Sequence, residues 1–278
     1  MERTLSTAPS RCVGPGDPFR ERPRCRWGRD PEVGRCEVTG AGDAQAHAER
    51  TDGQKGCERV RDVLQGRVDV LFDQVVRMAT MVEGAVGRSM DSLKDRDGTL
   101  ARAVVEGDDR IDALEVEVEE QCLAILALDH PVASDLRMVT TALKIVTDLE
   151  RIADYAANVA RITLRLEGQE LMKPLVDIPR MAEIDRSMLR AAIQAFLHRD
   201  VELAYALVRD DDQVDALYNQ VFRDLLEQMI ADPRTEVVGQ ATQLIMAARH
   251  LERIGDHVIN FAEWIIFMVT GERKALNN

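Results

Sequence analysis

The chain contains an internal repeat, and this feature restricts its fold more than any other. Shifting the sequence by 103 residues places residues 96–114 over residues 199–217, with eleven of nineteen positions identical. A shift of 102 places residues 148–160 over residues 250–262. Self-similarity at one spacing indicates a repeated supersecondary unit, so we expect two copies of the same structure.

The repeated part has the hydrophobic period of amphipathic helices. From Val60 onward, apolar residues recur every three or four positions, and aromatic residues make up only 4% of the chain. The apolar tracts end at Asp97-Gly98, His130-Pro131, residues 168–179, Arg199-Asp200 and Asp232-Pro233. These breaks predict six helices, of which several are about thirty residues long, with Asp97, Thr99 and Ser134 as candidate N-caps.

Short loops between long helices favour antiparallel neighbours. The predicted fold is therefore all-α, with two pseudo-symmetric three-helix bundles built from six long antiparallel helices. The first bundle is predicted to span residues 60–168 and the second residues 175–272. Cys122 lies within an apolar helical pattern, which predicts a buried, reduced thiol of the kind found in cytoplasmic proteins.

Residues 1–59 differ sharply in composition from the rest. They hold 5 of the 9 prolines, 8 of the 17 glycines and 4 of the 5 cysteines, with few large aliphatic residues. Such a segment cannot bury enough apolar surface to offset the entropy of ordering it, so a disordered extension is predicted. An alternative is an extension that is not translated, since the codon of Val60 fits a GTG start in a high-GC bacterial gene. The four cysteines form no C-x-x-C pair, which disfavours a zinc knuckle.

Carboxylates occur where an amphipathic helix should be apolar. At 100° per residue, Glu150 and Asp154 fall within the same stripe as Val139 and Val146. The second copy repeats this arrangement, and the preceding helix of each copy adds two Asp residues four positions apart. A buried carboxylate must be protonated, paired or bound to a metal. The candidate metal ligands are Glu150, Asp154, Glu252, Asp256, Asp108, Asp112, Asp211 and Asp215.

Other interpretations of these acids remain open. Asp108 and Asp211 also fit solvated helix faces, and the acids of the later helices can pair with Arg137, Arg151, Arg161 or Arg253 instead of a metal. If a metal binds, clustered oxygen ligands favour magnesium, calcium, manganese or oxidised iron over zinc. His250 and His257 are left unassigned.

Several function classes are disfavoured. The net charge of −13 and pI near 4.9 argue against a surface that coats nucleic acid. The chain has no nucleophile elbow, Gly-rich phosphate loop or H-E-x-x-H motif, so a non-enzyme without an organic cofactor is expected.

The alternative is a carboxylate-bridged metal oxidase or metal-storage helical protein, although DLERIAD and HLERIGDH lack the Glu-x-x-His of ferritin-like enzymes. A purely structural tether is a third possibility. No apolar stretch is long enough for a secretory signal or a membrane span.

Three tracts carry a resemblance to known proteins: PVASDLRMVTTALKIVTDLERIADYAANVA from Pro131, HLERIGDHVINFAE from His250 and EGDDRIDALEVEVEE from Glu106. They resemble the PhoU family, the accessory proteins of phosphate-specific transport systems. The resemblance covers about residues 60–272, and its motifs recur at the expected place in both halves. Residues 1–59 have no counterpart in the family pattern.

The resemblance implies a cytoplasmic negative regulator of phosphate uptake and of the phosphate-starvation response. It implies an adaptor between the phosphate ABC transporter, through its ATPase subunit, and a sensor histidine kinase, often as a homodimer. Peripheral membrane association would then come through these partners. The family's E(D)-x-x-x-D motif, which in some members holds iron or other metals, maps onto Glu150 with Asp154 and Glu252 with Asp256. Iron, manganese, magnesium and zinc are the candidate ions. Tyr155 stands where the family commonly has His, as at His257.

Overall fold

The computed structural model describes the backbone of residues 43–276 and the side chains of residues 61–276. Residues 51–278 form a compact unit distinct from residues 1–50, and the packing described below lies within residues 51–278. Residues 43–276 form six helices: α1 (Asp43–Asp95), α2 (Gly98–Leu128), α3 (Ser134–Arg165), α4 (Asp177–His198), α5 (Val201–Ala231) and α6 (Thr235–Thr270). The described residues contain no strand, so the predicted all-α class is confirmed.

The predicted N-terminal extension lies largely outside the described residues. Helix α1 begins at Asp43, upstream of the predicted boundary, and the hypotheses about residues 1–42 fall where the structure gives no description. The proposed boundaries 1–59, 60–168 and 175–272 stay predictions.

The two halves repeat the turn that joins their first and second helices. Arg96 and Arg199 both adopt left-handed backbone conformations, with φ of 57° and 54°. Each is followed by an aspartate N-cap, Asp97 before α2 and Asp200 before α5. The Asp97 carboxylate accepts from two backbone N–H groups and thus satisfies donors that the first helical turn leaves without partners.

The start of α3 differs from the prediction. Ala133, at φ 50°, occupies the N-cap position and provides no side-chain cap, whereas Ser134 is the first helical residue. The Ser134 hydroxyl donates to Asp135 Oδ1 at 3.3 Å instead of accepting from the helix. The Thr99 side chain also does not cap α2, because Asp97 precedes it and accepts the Thr99 N–H.

One hydrophobic core includes residues from all six helices. Helix α3 packs against α2 and α6, while α4 and α5 pack against each other and against α6. Leu149 of α3 and Ile254 of α6 are fully buried in this core, and Cys122 is buried as a free thiol, as predicted. The two three-helix groups therefore share a core in which α3 and α6, the repeat-related helices, pack together. Within the described part of the chain, no helix is long and apolar enough to cross a membrane.

Candidate functional site

The predicted ligands of the first half lie on two facing helices. The first acidic cluster consists of Asp108, Asp112 and Glu115 on α2 and Glu150 and Asp154 on α3. Burial, together with the charges of Asp112 and Asp154, raises the pKa of Asp108 to about 6. Burial and the charge of Glu150 raise the pKa of Glu115 to about 7. The charges of the α2 acids and the α3 acids act on one another, so the two predicted pairs face each other across the two helices.

The acids of this cluster differ in exposure. Asp108 is only 8% exposed, so the interpretation of this residue as part of a solvated face is wrong. The Glu150 side chain is largely buried, whereas that of Asp154 is 42% exposed. The helical wheel therefore placed Glu150 correctly, but Asp154 lies nearer the edge of the buried stripe than its angle suggests.

Arginine residues compensate these charges only in part. Arg151 pairs with Glu150 at 3.3 Å and with Asp154 at 3.5 Å, from the same helix and from an exposed position. Arg161 lies 3.9 Å from Asp108. The pKa of Glu150 and that of Asp108 remain raised despite these contacts, because burial outweighs the favourable charge interaction. Arg137, also considered as a partner, instead donates to the Met268 carbonyl oxygen.

The second half repeats the arrangement. Its second acidic cluster consists of Asp211 and Asp215 on α5, Glu252 and Asp256 on α6, and Asp185 on α4. Asp211 is 7% exposed, as buried as its counterpart Asp108. Burial and the charge of Asp256 raise the pKa of Asp215, and burial and the same charge raise the pKa of Glu252. Arg253 contacts both acids of its own helix, as Arg151 does in the first half.

Asp185 is the acid that the sequence analysis missed. Its side chain is fully buried, and neither carboxyl oxygen has a hydrogen-bond partner. Burial and the charges of Asp211 and Glu252 raise its pKa well above the ordinary value. The signal was available, because the apolar stripe of α4 that contains Met181, Ala182, Met188 and Leu189 passes through position 185.

His250 and His257 of α6 contact residues of α3. His257 Nδ1 lies 2.9 Å from Asp148 Oδ1, and the Asn260 amide donates to the same oxygen at 3.3 Å. Asp148 belongs to α3 and both partners belong to α6. The Tyr155 ring contacts the rings of His250 and His257. These residues form a polar contact between α3 and α6, which gives His257 a structural partner.

The donor chemistry of both clusters fits a hard cation, since carboxylates that raise each other's pKa are stabilised by a positive charge between them. The fold brings the eight predicted ligands together as facing pairs. Among the described residues, however, no group of three or more His, Cys, Asp and Glu side chains converges closely enough to hold a metal ion. Metal binding at these positions therefore stays a prediction, and it would require the carboxylates to move toward the ion.

Comparison with known proteins agrees with this architecture. Residues 75–163 and 178–265 each match the PhoU domain. A phosphate-specific transport system accessory protein PhoU homolog from Clostridium acetobutylicum is 34% identical over 219 residues, covering 78% of this chain and 99% of the relative. A homolog of the same description from Caulobacter vibrioides is 40% identical over 203 residues, covering 73% of this chain and 87% of the relative.

Two solved structures share the fold. PhoU from Pseudomonas aeruginosa superposes with a TM-score of 0.72 at 35% identity, covering 75% of this chain and 99% of that one. The phosphate transport system regulatory protein PhoU from Streptococcus pneumoniae superposes with a TM-score of 0.70 at 25% identity, covering 76% and 99%. The two domain matches coincide with the two halves of the internal repeat. This chain therefore belongs to the PhoU family.

Proposed function

We propose that this protein is the accessory regulator of a phosphate transport system, and that it acts in the cytoplasm as a negative regulator of phosphate uptake and of the phosphate-starvation response. The observation that carries the proposal is the PhoU domain in both halves, together with the names of relatives that this chain matches over nearly their full length. The protein acts by binding and not by catalysis.

The partners in this proposal are the ATPase subunit of the phosphate ABC transporter and a sensor histidine kinase, with the protein acting as a homodimeric adaptor between them. Long amphipathic helices offer extended surfaces for such contacts. Association with the membrane would be peripheral and would come through the partners.

Metal binding is part of the proposal. The two acidic clusters would hold hard cations, with iron, manganese and magnesium preferred over zinc because the donors are carboxylate oxygens. A bound cation would supply positive charge between carboxylates that otherwise repel each other. The facing pairs on α2 with α3 and on α5 with α6 support this role, since burial and mutual repulsion raise the pKa of Asp108 and that of Glu252. Occupancy can bias partner choice only if the filled and empty states differ in affinity for the partners.

The test is deletion of the gene in the source organism, with a phosphate-starvation reporter measured in phosphate-rich medium. We expect the reporter to be derepressed and to be silenced again by a plasmid copy of the gene. A reporter that stays silent in the deletion strain would refute the regulatory role. A parallel pull-down with the transporter ATPase subunit and the kinase tests the adaptor role, which an absence of both partners would contradict.

The metal part needs a separate measurement. Mass spectrometry of protein purified without chelator is expected to find metal that is lost when Glu150, Asp154, Glu252 and Asp256 are replaced by alanine with helicity retained.

The acidic clusters also leave a metal oxidase or metal-storage protein as the second candidate. Oxygen consumption on addition of ferrous iron would support that alternative, while a preparation that consumes none would favour the regulator.

A further inference from the structure

The two acidic clusters are not equivalent. The repeat places Val82 of the first half where the second half has Asp185, and it places Ala153 where the second half has Gly255. Val82 and Ala153 are buried apolar residues. At these two positions the second half therefore has an interior carboxyl group where the first half has an apolar side chain, and it lacks one side chain in the space beside that group.

The missing side chain allows two carboxyl groups to reach the interior. A Cβ atom on Gly255 would lie 2.7 Å from Asp211 Oδ1 and 3.5 Å from Asp185 Oδ1. The first distance is far below van der Waals contact, so the Asp211 carboxylate occupies the volume that an alanine would need. The carboxyl groups of α4 and α5 thus approach the backbone of α6 at the same point.

Three carboxyl oxygens of the second cluster lack hydrogen-bond donors. Both oxygens of Asp185 and the Oε2 atom of Glu252 are buried without a hydrogen-bond partner. Arg249 donates to the other Glu252 oxygen, Oε1, and Arg253 Nε lies 3.9 Å from Oε2, beyond hydrogen-bond distance. Buried polar atoms are almost always hydrogen-bonded in folded proteins, so three such oxygens on two acids that interact electrostatically indicate a missing positive or donating group.

The neighbouring charges that act on Asp185 are negative. The ionic interactions that act on Asp185 come from Asp211 and Glu252, and both raise its pKa. An isolated buried carboxylate costs roughly several kcal/mol even after relaxation. A cation bound between the three carboxyl groups would remove this cost and give the unpartnered oxygens a ligand.

We propose that Asp185 is an interior ligand of a divalent cation site formed with Asp211 and Glu252, and that the second half therefore binds a hard cation such as Mn²⁺ more tightly than the first. The inference rests on the cation binding proposed above and adds a ligand on a third helix that the repeated acidic pairs do not contain. Both clusters contain five acids, because Glu115 of the first half aligns with Tyr218 in the second. The second cluster differs in that Asp185 is fully buried and both of its oxygens lack a partner, so a bound cation relieves a larger burial cost there. The carboxyl groups repel one another in the cation-free protein, and they move toward the ion when it binds.

The test is a Mn²⁺ titration of the full chain after removal of bound metal, with free Mn²⁺ measured by electron paramagnetic resonance. We expect two classes of site in the wild-type protein. Asp185→Asn, which keeps the shape of the side chain, is expected to weaken the tighter class roughly tenfold or more and to leave the weaker class unchanged.

A second variant tests the geometry without changing a charge. Gly255→Ala places a methyl group in the volume occupied by Asp211 Oδ1, so it should displace that ligand and weaken the tighter class as well. Glu150→Gln is the matched control in the first half, and we expect it to weaken only the weaker class. Circular dichroism and thermal melts verify that each variant is folded.

The outcomes separate this inference from the proposed function. If wild type binds Mn²⁺ and Glu150→Gln weakens binding, but Asp185→Asn and Gly255→Ala leave the tighter constant unchanged, the assignment of Asp185 is wrong while cation binding stands. Equal weakening of both classes by Asp185→Asn would also overturn it, because the effect would not be local. A wild-type protein that binds no Mn²⁺ would overturn the proposed cation binding and this inference together.

Discussion

Replacing Asp108 by asparagine should stabilise the metal-free protein at neutral pH. Asp108 is 8% exposed, and burial together with the neighbouring charges of Asp112 and Asp154 raises its pKa from 3.8 to about 6. The folded state therefore binds the Asp108 proton more tightly than the unfolded state does. At neutral pH the carboxyl group must be ionised in the folded protein, which lowers the free energy of unfolding.

The magnitude follows from the two pKa values. A rise from 3.8 to about 6 corresponds to roughly 3 kcal/mol of destabilisation at pH 7. The asparagine amide still has to be buried, and Arg161 loses its partner at 3.9 Å, so part of this gain is offset. We expect a net gain of about 1–2 kcal/mol, which corresponds to a rise in Tm of about 2–8 °C for a domain of this size.

The difference in stability between wild type and Asp108→Asn depends on pH. Wild-type stability attributable to Asp108 falls as the pH rises from 3.8 to about 6, because the folded protein retains the proton over this range. The advantage of Asp108→Asn is therefore fully present above pH about 6 and disappears as the pH falls toward 3.8. Addition of Mn²⁺ should reverse the order at neutral pH, since a ligand that binds the folded wild type stabilises it by mass action.

The assay is urea unfolding followed by circular dichroism, with chelator present, at several pH values between the two pKa values and above them. Asp109→Asn is the matched control, because Asp109 is the adjacent acid of α2 and is exposed. If Asp108→Asn is less stable than wild type at neutral pH, burial of the ionised Asp108 carboxylate does not destabilise the folded protein. An advantage of equal size at acidic and neutral pH would contradict the raised pKa of Asp108.

Two further predictions concern the framework around the clusters. Asp97→Ala should lower the free energy of unfolding by about 1 kcal/mol, and Asp200→Ala should lower it by no more, because Asp97 caps two N–H groups and Asp200 caps one. Chemical denaturation of both variants measures these losses, and a larger loss for Asp200→Ala would contradict the prediction. Asp148→Ala should lower the free energy of unfolding by about 1–3 kcal/mol, because it leaves His257 and Asn260 without their shared acceptor between α3 and α6. Thermal melts compare this variant with the exposed control Lys144→Ala, and equal Tm values for the two would contradict the prediction.

Several features could be predicted from the sequence because they depend on local order. The three- and four-residue hydrophobic period is a property of each segment, and it predicted six helices and an all-α fold correctly. The aspartate at position 97 was identified as an N-cap because the capping interaction reaches only two or three residues along the chain. The burial of Glu150 followed from its angle on a single helix.

Features that depend on packing between helices were harder to predict from the sequence. The sequence left open whether Arg residues of neighbouring helices neutralise the acids, and the structure shows that Arg151 and Arg253 contact acids of their own helices. Asp185 was not predicted as a buried acid because it lies outside the repeated motif, although the apolar stripe of α4 contains it.

The repeat, the helical class and the acids on the apolar faces follow from residue order alone, because these depend on the order of residues within one helix or on comparison of one half with the other. Two features follow only from the folded core: α3 packs on α6, and Asp185 of α4 meets Asp211 of α5 over Gly255 of α6. These contacts join residues that lie far apart along the chain. Periodicity assigns a face to each helix, but the identity of the side chains that meet across helices depends on how the whole core packs.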